Sequence, residues 1–160
     1  MAKNPDPTLK LTTSKGVVRT LDDWTTMFHL CLIVLPSRPE ARAFVPIAQR
    51  IFATFGDADC TVAFVVTGPE SVAERLLGPT EQQDVTFLDP DLELVQSLGL
   101  ERLPAFVHLR QDTSVVAATE GWDAKEWQGV AKAVGKATAW TVPEVGAPGD
   151  PRTFGGWPVG

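Results

Sequence analysis

Two short runs of almost wholly apolar residues constrain the fold more than any other feature of the sequence. They are Leu30-Cys-Leu-Ile-Val-Leu35 and Cys60-Thr-Val-Ala-Phe-Val-Val-Thr67. A strand that is apolar on both faces is typical of a parallel sheet covered by helices on each side. Both runs are far shorter than the roughly 20 residues that a helix needs to cross a bilayer. The sequence therefore predicts a buried α/β sheet, with the first run at its centre.

The residues after the first run predict a helix whose apolar face extends from Phe44 to Phe55. Ser37 and Glu40 have the spacing of a capping box, in which the serine oxygen accepts from the Glu40 amide and the carboxylate reaches back. Pro39 falls in the first turn, where its missing N–H costs nothing. Pro46 lies inside the apolar pattern, so we expect the helix to kink there.

The order of the remaining elements predicts the topology. The elements are a hairpin over 10–21, helices over 72–77 and 92–98, a strand over 85–88, a second hairpin over 105–119 and a last helix that begins at Asp123. A β-hairpin, then alternating strands and helices, then a β-hairpin and a helix imply parallel crossovers with helices on both faces.

Composition divides the chain into three segments. We predict a flexible N-terminus over 1–9, a folded domain over 10–140 and an irregular tail over 141–160, which holds five Gly and four Pro. Phe154 and Trp157 are poor choices for a segment kept in water, so we expect them to anchor the tail along its own domain or a neighbouring copy. This hypothesis predicts resistance to proteases beyond Trp140.

Charge and composition exclude several classes of function. Fourteen Lys and Arg against twenty Asp and Glu give a net charge of −6, which lacks the basic field of a non-specific nucleic-acid binder. Two Cys and two His, without Cys-x-x-Cys spacing, do not fit a zinc site. The first residues contain no apolar stretch typical of a secretory signal. We therefore predict a cytoplasmic protein with no metal, no cofactor and no membrane insertion.

Three motifs resemble those of the thioredoxin-like fold, in its redoxin branch with an inserted helix. Leu98-Gly-Leu-Glu-Arg-Leu-Pro-Ala-Phe-Val107 is similar to the segment in which a helix ends and a cis-proline opens a strand. Phe44-Val-Pro-Ile47 is similar to the kinked active-site helix, and Glu120-Gly-Trp122 to the glycine loop before the final helix. The resemblance covers about 11–140 and implies a three-layer α/β/α sandwich in which Pro104 is the cis-proline.

The sequence departs from this family where the chemistry should lie. Arg38-Pro39-Glu40-Ala41 occupies the place of Cys-x-x-Cys, and Leu32 replaces the buried acid. Thiol exchange needs a thiolate, which this fold activates at the helix N-terminus. The resemblance therefore implies a degenerate active site with no catalytic residues.

The resemblance also implies a peptide-binding groove, lined by Arg38, Pro39, Leu103, Pro104 and Trp122. Trp122 follows a loop glycine and has two interpretations: a partly exposed recognition anchor, or a packed core residue. Arg38 is either a solvated surface cation or a group that selects an acidic partner.

Cys31 and Cys60 also have two interpretations. Both lie at the N-terminal ends of strands expected to be adjacent, so their Cα atoms could be about 5 Å apart, within the range of a disulfide. We predict instead two free, buried cysteines, because disulfides are rare in the cytosol. We expect His29 and His108 to be structural, since no third ligand or nucleophile is spaced with them.

We therefore predict a non-catalytic thioredoxin-fold protein that acts as a protein-binding, chaperone-like or assembly module through the groove beside Pro104. The alternative is a residual thiol-disulfide oxidoreductase or peroxidase that uses Cys31 or Cys60. A second alternative is a structural subunit of a larger complex, held by its tail. Each alternative implies a protein partner or an oligomer.

Overall fold

The computed structural model describes residues 2–159, apart from the side chain of Gln82. Met1 of the predicted N-terminal segment and Gly160 of the tail lie outside the described residues. The strands are β1 Lys10–Thr13, β2 Val18–Thr20, β3 His29–Leu35, β4 Cys60–Val66, β5 Val85–Leu88, β6 Arg102–Leu103, β7 Ala105–Leu109, β8 Val115–Glu120 and β9 Trp157–Pro158. The helices are α1 Leu21–Thr25, α2 Val45–Phe55, α3 Glu70–Leu77, α4 Thr80–Gln83, α5 Glu93–Ser97 and α6 Ala124–Thr138, with a 3-10 helix, Pro39–Phe44, before α2.

Within residues 2–159 the main sheet has seven strands in the order β2-β1-β5-β4-β3-β7-β8. Strands β3, β4 and β5 are parallel, and β7 pairs antiparallel with β3. The middle strand is β4 and not β3, because the N-terminal hairpin adds two strands beyond β5. A separate pair is formed by β6 and β9.

The two apolar faces of β3 enter two different cores. Cys31, Ile33 and Leu35 pack with residues of α2 and α6. Leu30, Leu32 and Val34 pack with residues of α1 and α5 on the opposite face. All of these side chains are buried, so the three-layer α/β/α arrangement predicted from the sequence is confirmed. None of the helices formed by residues 2–159 combines the length and apolar character that crossing a bilayer requires.

The helix after β3 differs from its prediction in two ways. It is a 3-10 helix followed by α2, in which Pro46 lies in the first turn and so introduces no interior kink. Because Pro46 has no N–H to donate, an α-helix can begin at this point without losing a hydrogen bond. The predicted capping box is wrong: the 3-10 helix is capped by Arg38 with no side-chain hydrogen bond, and the Ser37 hydroxyl donates to the Thr67 carbonyl at the end of β4.

Candidate functional site

The Arg-Pro-Glu-Ala motif, residues 38–41, lies on the surface at the C-terminal end of β3. Arg38, Pro39 and Glu40 are exposed, and Ala41, which belongs to the 3-10 helix, is buried. The Arg38 Nε atom lies 3.5 Å from a Glu40 carboxylate oxygen. Both partners are exposed, so this ion pair adds little stability. The four residues supply a cation and a carboxylate, and none of them can act as a thiol nucleophile.

The loop opposite this motif is built around Pro104. The Leu103–Pro104 peptide bond is cis, and the Pro104 carbonyl accepts from the Gly121 amide at 2.7 Å. Gly121 has φ +81°, a conformation that favours glycine. Leu103, Pro104 and Trp122 are all buried. Of the two interpretations of Trp122, the structure therefore favours the packed residue over the partly exposed one.

The C-terminal tail, described over residues 141–159, covers these groove residues by backbone pairing. Strand β9 lies antiparallel to β6, with Trp157 opposite Leu103 and Pro158 opposite Arg102. Next to it, the Trp122 amide donates to the Phe154 carbonyl at 2.6 Å, and the Phe154 amide donates back at 2.8 Å. Trp122 has only 2% of its surface exposed because the tail lies over it.

The aromatic side chains of the tail lie between the Pro104 loop and the motif over 38–41. The Phe154 and Trp157 rings lie edge to face, with their centres 4.7 Å apart. The Phe44 and Trp157 rings also lie edge to face, with their centres 6.1 Å apart. The Arg38 guanidinium carbon lies 4.8 Å from the Trp157 ring centre, within the range of a cation–π contact. Arg38 thus binds part of its own chain.

The base of the tail has its own anchor, which sequence reasoning missed. The Arg50 guanidinium on α2 donates to Asp150 at 2.6 Å and to the Val145 carbonyl at 2.8 Å. Val145 is fully buried, and Asp150 also accepts from the Ala147 amide at 2.8 Å. No local sequence signal marks this pair, because the two charged residues are 100 positions apart.

Asp150→Ala is expected to lower the free energy of unfolding by about 1–2 kcal/mol, because it leaves the half-buried Arg50 without its carboxylate. Cleavage of the tail by a non-specific protease should accelerate at the same time. Urea denaturation and timed proteolysis measure the two effects. Glu144→Ala, an exposed acid in the same segment, should stay within about 0.5 kcal/mol of the natural chain. Equal rates of proteolysis in the two variants would show that the pair of Arg50 and Asp150 does not anchor the tail.

Cys31 and Cys60 form a disulfide between β3 and β4, so the prediction of two free cysteines is wrong. In the parallel register, Cys60 lies opposite His29, and Cys31 lies two residues further along β3. Both side chains lie in the core beneath α2. Their Cα atoms are 6.7 Å apart, inside the limit of about 6.8 Å for a disulfide. The sequence indicated that the two cysteines lie on adjacent strands. The prediction of free thiols failed because it rested on how rare disulfides are in the cytosol, and not on the positions of these residues.

Two histidines flank the disulfide. His108 on β7 lies opposite Cys31, and His29 lies opposite Cys60. The Nδ1 atom of His29 is 2.9 Å from the Nε2 atom of His108. Burial, with the nearby charges of His29 and Arg110, lowers the pKa of His108 to about 4. Burial also lowers the pKa of His29, so both rings are neutral at neutral pH.

A surface cavity of about 390 Å³ lies beside the motif over 38–41. Three arginines line it, Arg38, Arg42 and Arg75, over an apolar floor that includes Leu76. Arg42 donates to the backbone carbonyl of Arg75 at 2.6 Å, which fixes the Arg42 side chain at the rim. This end of an otherwise acidic chain is therefore locally positive and can attract anionic groups.

Comparison with known proteins gives matches in structure alone. No protein-family model matches the sequence, and no curated protein sequence matches it. A putative thiol:disulfide interchange protein DsbE from Chlorobium tepidum superposes with a TM-score of 0.70 at 17% identity, over 86% of this chain and 98% of that one. The chain has the thioredoxin-like fold. This confirms the fold predicted from the motifs around Pro46, Pro104 and Gly121.

Other solved structures with this thioredoxin-like fold include redox proteins of two kinds. MTB DsbF has a TM-score of 0.68 at 12% identity, over 82% of this chain and 96% of that one. Xanthomonas campestris peroxiredoxin Q has a TM-score of 0.64 at 17% identity, over 82% of this chain and 89% of that one. Identities of this size establish a shared fold, so the chemistry of this chain has to be argued from its own residues.

Proposed function

We propose that this chain is a thiol-disulfide redox protein whose couple is Cys31–Cys60. The observation that carries the proposal is the disulfide between β3 and β4, flanked by two histidines. The structural neighbours described as thiol:disulfide interchange proteins and peroxiredoxins support a redox function. In this proposal the couple lies at the N-terminal ends of the strands, at the opposite end of β3 from Arg38-Pro39-Glu40-Ala41.

The proposed exchange begins at Cys60, since Cys31 is fully buried and Cys60 is 6% exposed. A thiolate of an external thiol attacks the Cys60 sulfur, the S–S bond breaks and Cys31 leaves as a thiolate. A second external thiolate attacks the external sulfur of the mixed disulfide, and Cys60 leaves in turn. Two external thiols are oxidised to one disulfide, and their two protons end on Cys31 and Cys60.

The surroundings of Cys60 set the conditions of this reaction. The sulfur lies at a shallow depression whose rim includes Phe28, Phe52 and Ala58. His29 lies opposite Cys60 in the register and is neutral at neutral pH, so it is available to take up the proton of an approaching thiol. Apolar burial favours the protonated thiols over the thiolates, so we expect exchange to be slower than at an exposed helix N-terminus.

The Cys31→Ser, Cys60→Ser double variant is expected to lose all reduction of insulin by dithiothreitol that the natural chain catalyses. Met27→Ser, which removes a highly exposed sulfur from the neighbouring loop, should retain this activity. In parallel, thiol labelling of the folded natural chain should show two thiols after treatment with dithiothreitol. Activity that survives in the double variant, or a disulfide reduced only after denaturation, would contradict the proposal.

A second candidate function is a protein-binding module, and the position of the tail favours it. The groove beside Pro104 pairs with an extended segment through β6 and packs two of its aromatic rings. Backbone pairing with pockets for side chains is a general mode of peptide recognition. The partner and a cytoplasmic location stay predictions. The peptide experiment below tests this candidate.

A further inference from the structure

We infer that the groove formed by β6, Pro104 and Trp122 is a receptor for an extended peptide of the pattern aromatic-x-Gly-Trp, and that residues 151–159 are its displaceable resident ligand. The inference rests on the second candidate function and is independent of the Cys31–Cys60 couple. Its ligand chemistry follows from the contacts of the tail, position by position.

The glycine of the pattern is required by both space and conformation. Gly156 has φ +94°, and a Cβ there would lie 3.0 Å from the Leu103 carbonyl oxygen and 3.2 Å from the Gly121 Cα. Gly121 is required for the same close approach, because a Cβ on it would lie 2.7 Å from the Gly155 carbonyl carbon. Gly155 differs from Gly156, since a Cβ on it would meet nothing within 4 Å. The position before the required glycine therefore accepts other residues.

The aromatic residues of the pattern supply the apolar contacts. Phe154 and Trp157 contact each other, and Trp157 also contacts Phe44 and the Arg38 guanidinium. Trp157 is only half-buried, so an incoming side chain can reach the same site. On the other edge of β6, Glu120 accepts from the Arg102 amide at 3.0 Å, which holds this strand in place for the ligand.

The tail is built so that its tip can leave without its base. The base is anchored by Arg50, Asp150 and the buried Val145, all before residue 151. The tip, 151–159, contains the backbone bridge at Phe154 and the two residues of β9, and is otherwise irregular. A tip tethered in this way has an effective concentration in the millimolar range, which a peptide in solution must overcome.

The test uses a fluorescently labelled peptide with the sequence of residues 151–159 and the full chain carrying Trp157→Ala, read by fluorescence anisotropy. The variant tail competes weakly, so we expect the peptide to bind this chain at least tenfold more tightly than the natural chain. A Gly155→Ala peptide should bind like the natural peptide, whereas a Gly156→Ala peptide should lose at least tenfold in affinity. Adding Arg38→Ala to the Trp157→Ala chain should weaken binding several-fold.

Equal affinity for the two chains, no binding to either, or equal loss with both glycine-substituted peptides would overturn the inference. A peptide of glycine and serine alone separates two failures: if it binds as well as the tail sequence, the groove binds peptides without the proposed pattern. Should the Trp157→Ala chain fail to fold, a protease site inserted between Asp150 and Pro151 of the natural chain replaces it. After cleavage the labelled peptide should displace the tail fragment, and retention of the fragment against excess peptide contradicts the inference.

Discussion

Trp122→Ala is expected to lower the free energy of unfolding by about 3–5 kcal/mol, the range for removing a large buried aromatic side chain. The centre of the Trp122 ring lies 5.1 Å from that of Trp127 and 6.3 Å from that of Phe44. Trp122 therefore joins the core beneath α6 to the groove. Its Nε1 atom donates to the Pro151 carbonyl at 2.8 Å. The variant therefore loses both the packing of Trp122 in the core and the contacts of Trp122 with the tail.

Urea denaturation with an unchanged slope measures this loss. Trp140→Ala is the matched control, since Trp140 is 42% exposed and makes one side-chain hydrogen bond, to the Thr54 carbonyl at 2.7 Å. We expect it to cost about 1 kcal/mol. Losses of similar size in the two variants would show that Trp122 is not the residue that couples the core to the tail.

Local signals in the sequence predicted the elements that depend on neighbours along the chain. The apolar runs around Ile33 and Phe64 gave the two parallel strands, and Asp123 gave the start of α6. Its carboxylate accepts from the Lys125 and Glu126 amides at 2.9 and 3.2 Å, which is the N-cap geometry that such a residue favours. These interactions span a few residues, so their spacing is visible in the sequence.

The incorrect predictions involve competition from distant residues. Ser37 has the spacing of a cap, yet its hydroxyl donates to Thr67, a residue 30 positions away that the topology places beside it. Trp122 is flanked by loop residues typical of an exposed site, but Phe154 and the rest of the tail return to cover it. The aromatic residues Phe154 and Trp157 predicted that the tail packs against a surface, without indicating which surface it covers.

The Cys31–Cys60 pair shows the same limit for the candidate site. The assignment of the strands predicted that both cysteines lie at the N-terminal ends of adjacent strands, but it did not give the register between those strands. A register that differed by one residue would have placed the two side chains on opposite faces of the sheet. The observed register, with His29 opposite Cys60, places both sulfurs in one core. That register is fixed by packing on both faces of the sheet, which local sequence patterns do not contain.

Lowering the pH from 7 to 4 is expected to destabilise the fold by roughly 3 kcal/mol through His108 alone. The pKa of His108 is about 4 in the folded chain, compared with an ordinary value of 6.5. Above pH 6.5 both states are neutral at this residue. Between pH 6.5 and about 4 the unfolded chain binds the proton first, so stability falls as the pH falls. Below about pH 4 both states are protonated, and this contribution stops changing.

Other groups titrate in the same range, so the effect must be measured as a difference between variants. Burial raises the pKa of Asp84 and of Glu81, and raised carboxyl pKa values favour the folded state as the pH falls. Their contribution opposes that of His108 and is common to every variant. Burial also lowers the pKa of His29, so this ring adds to the effect in the same direction as His108.

His108→Gln is therefore expected to remove most of the difference in unfolding free energy between pH 7 and pH 4.5, as measured by urea denaturation at each pH. His29→Gln should remove less, because His29 is half-buried and His108 is fully buried. Only the pH dependence is diagnostic, since either variant also loses the contact of 2.9 Å between the rings. Parallel pH curves for His108→Gln and the natural chain would mean that folding does not shift the pKa of His108, which would contradict the prediction.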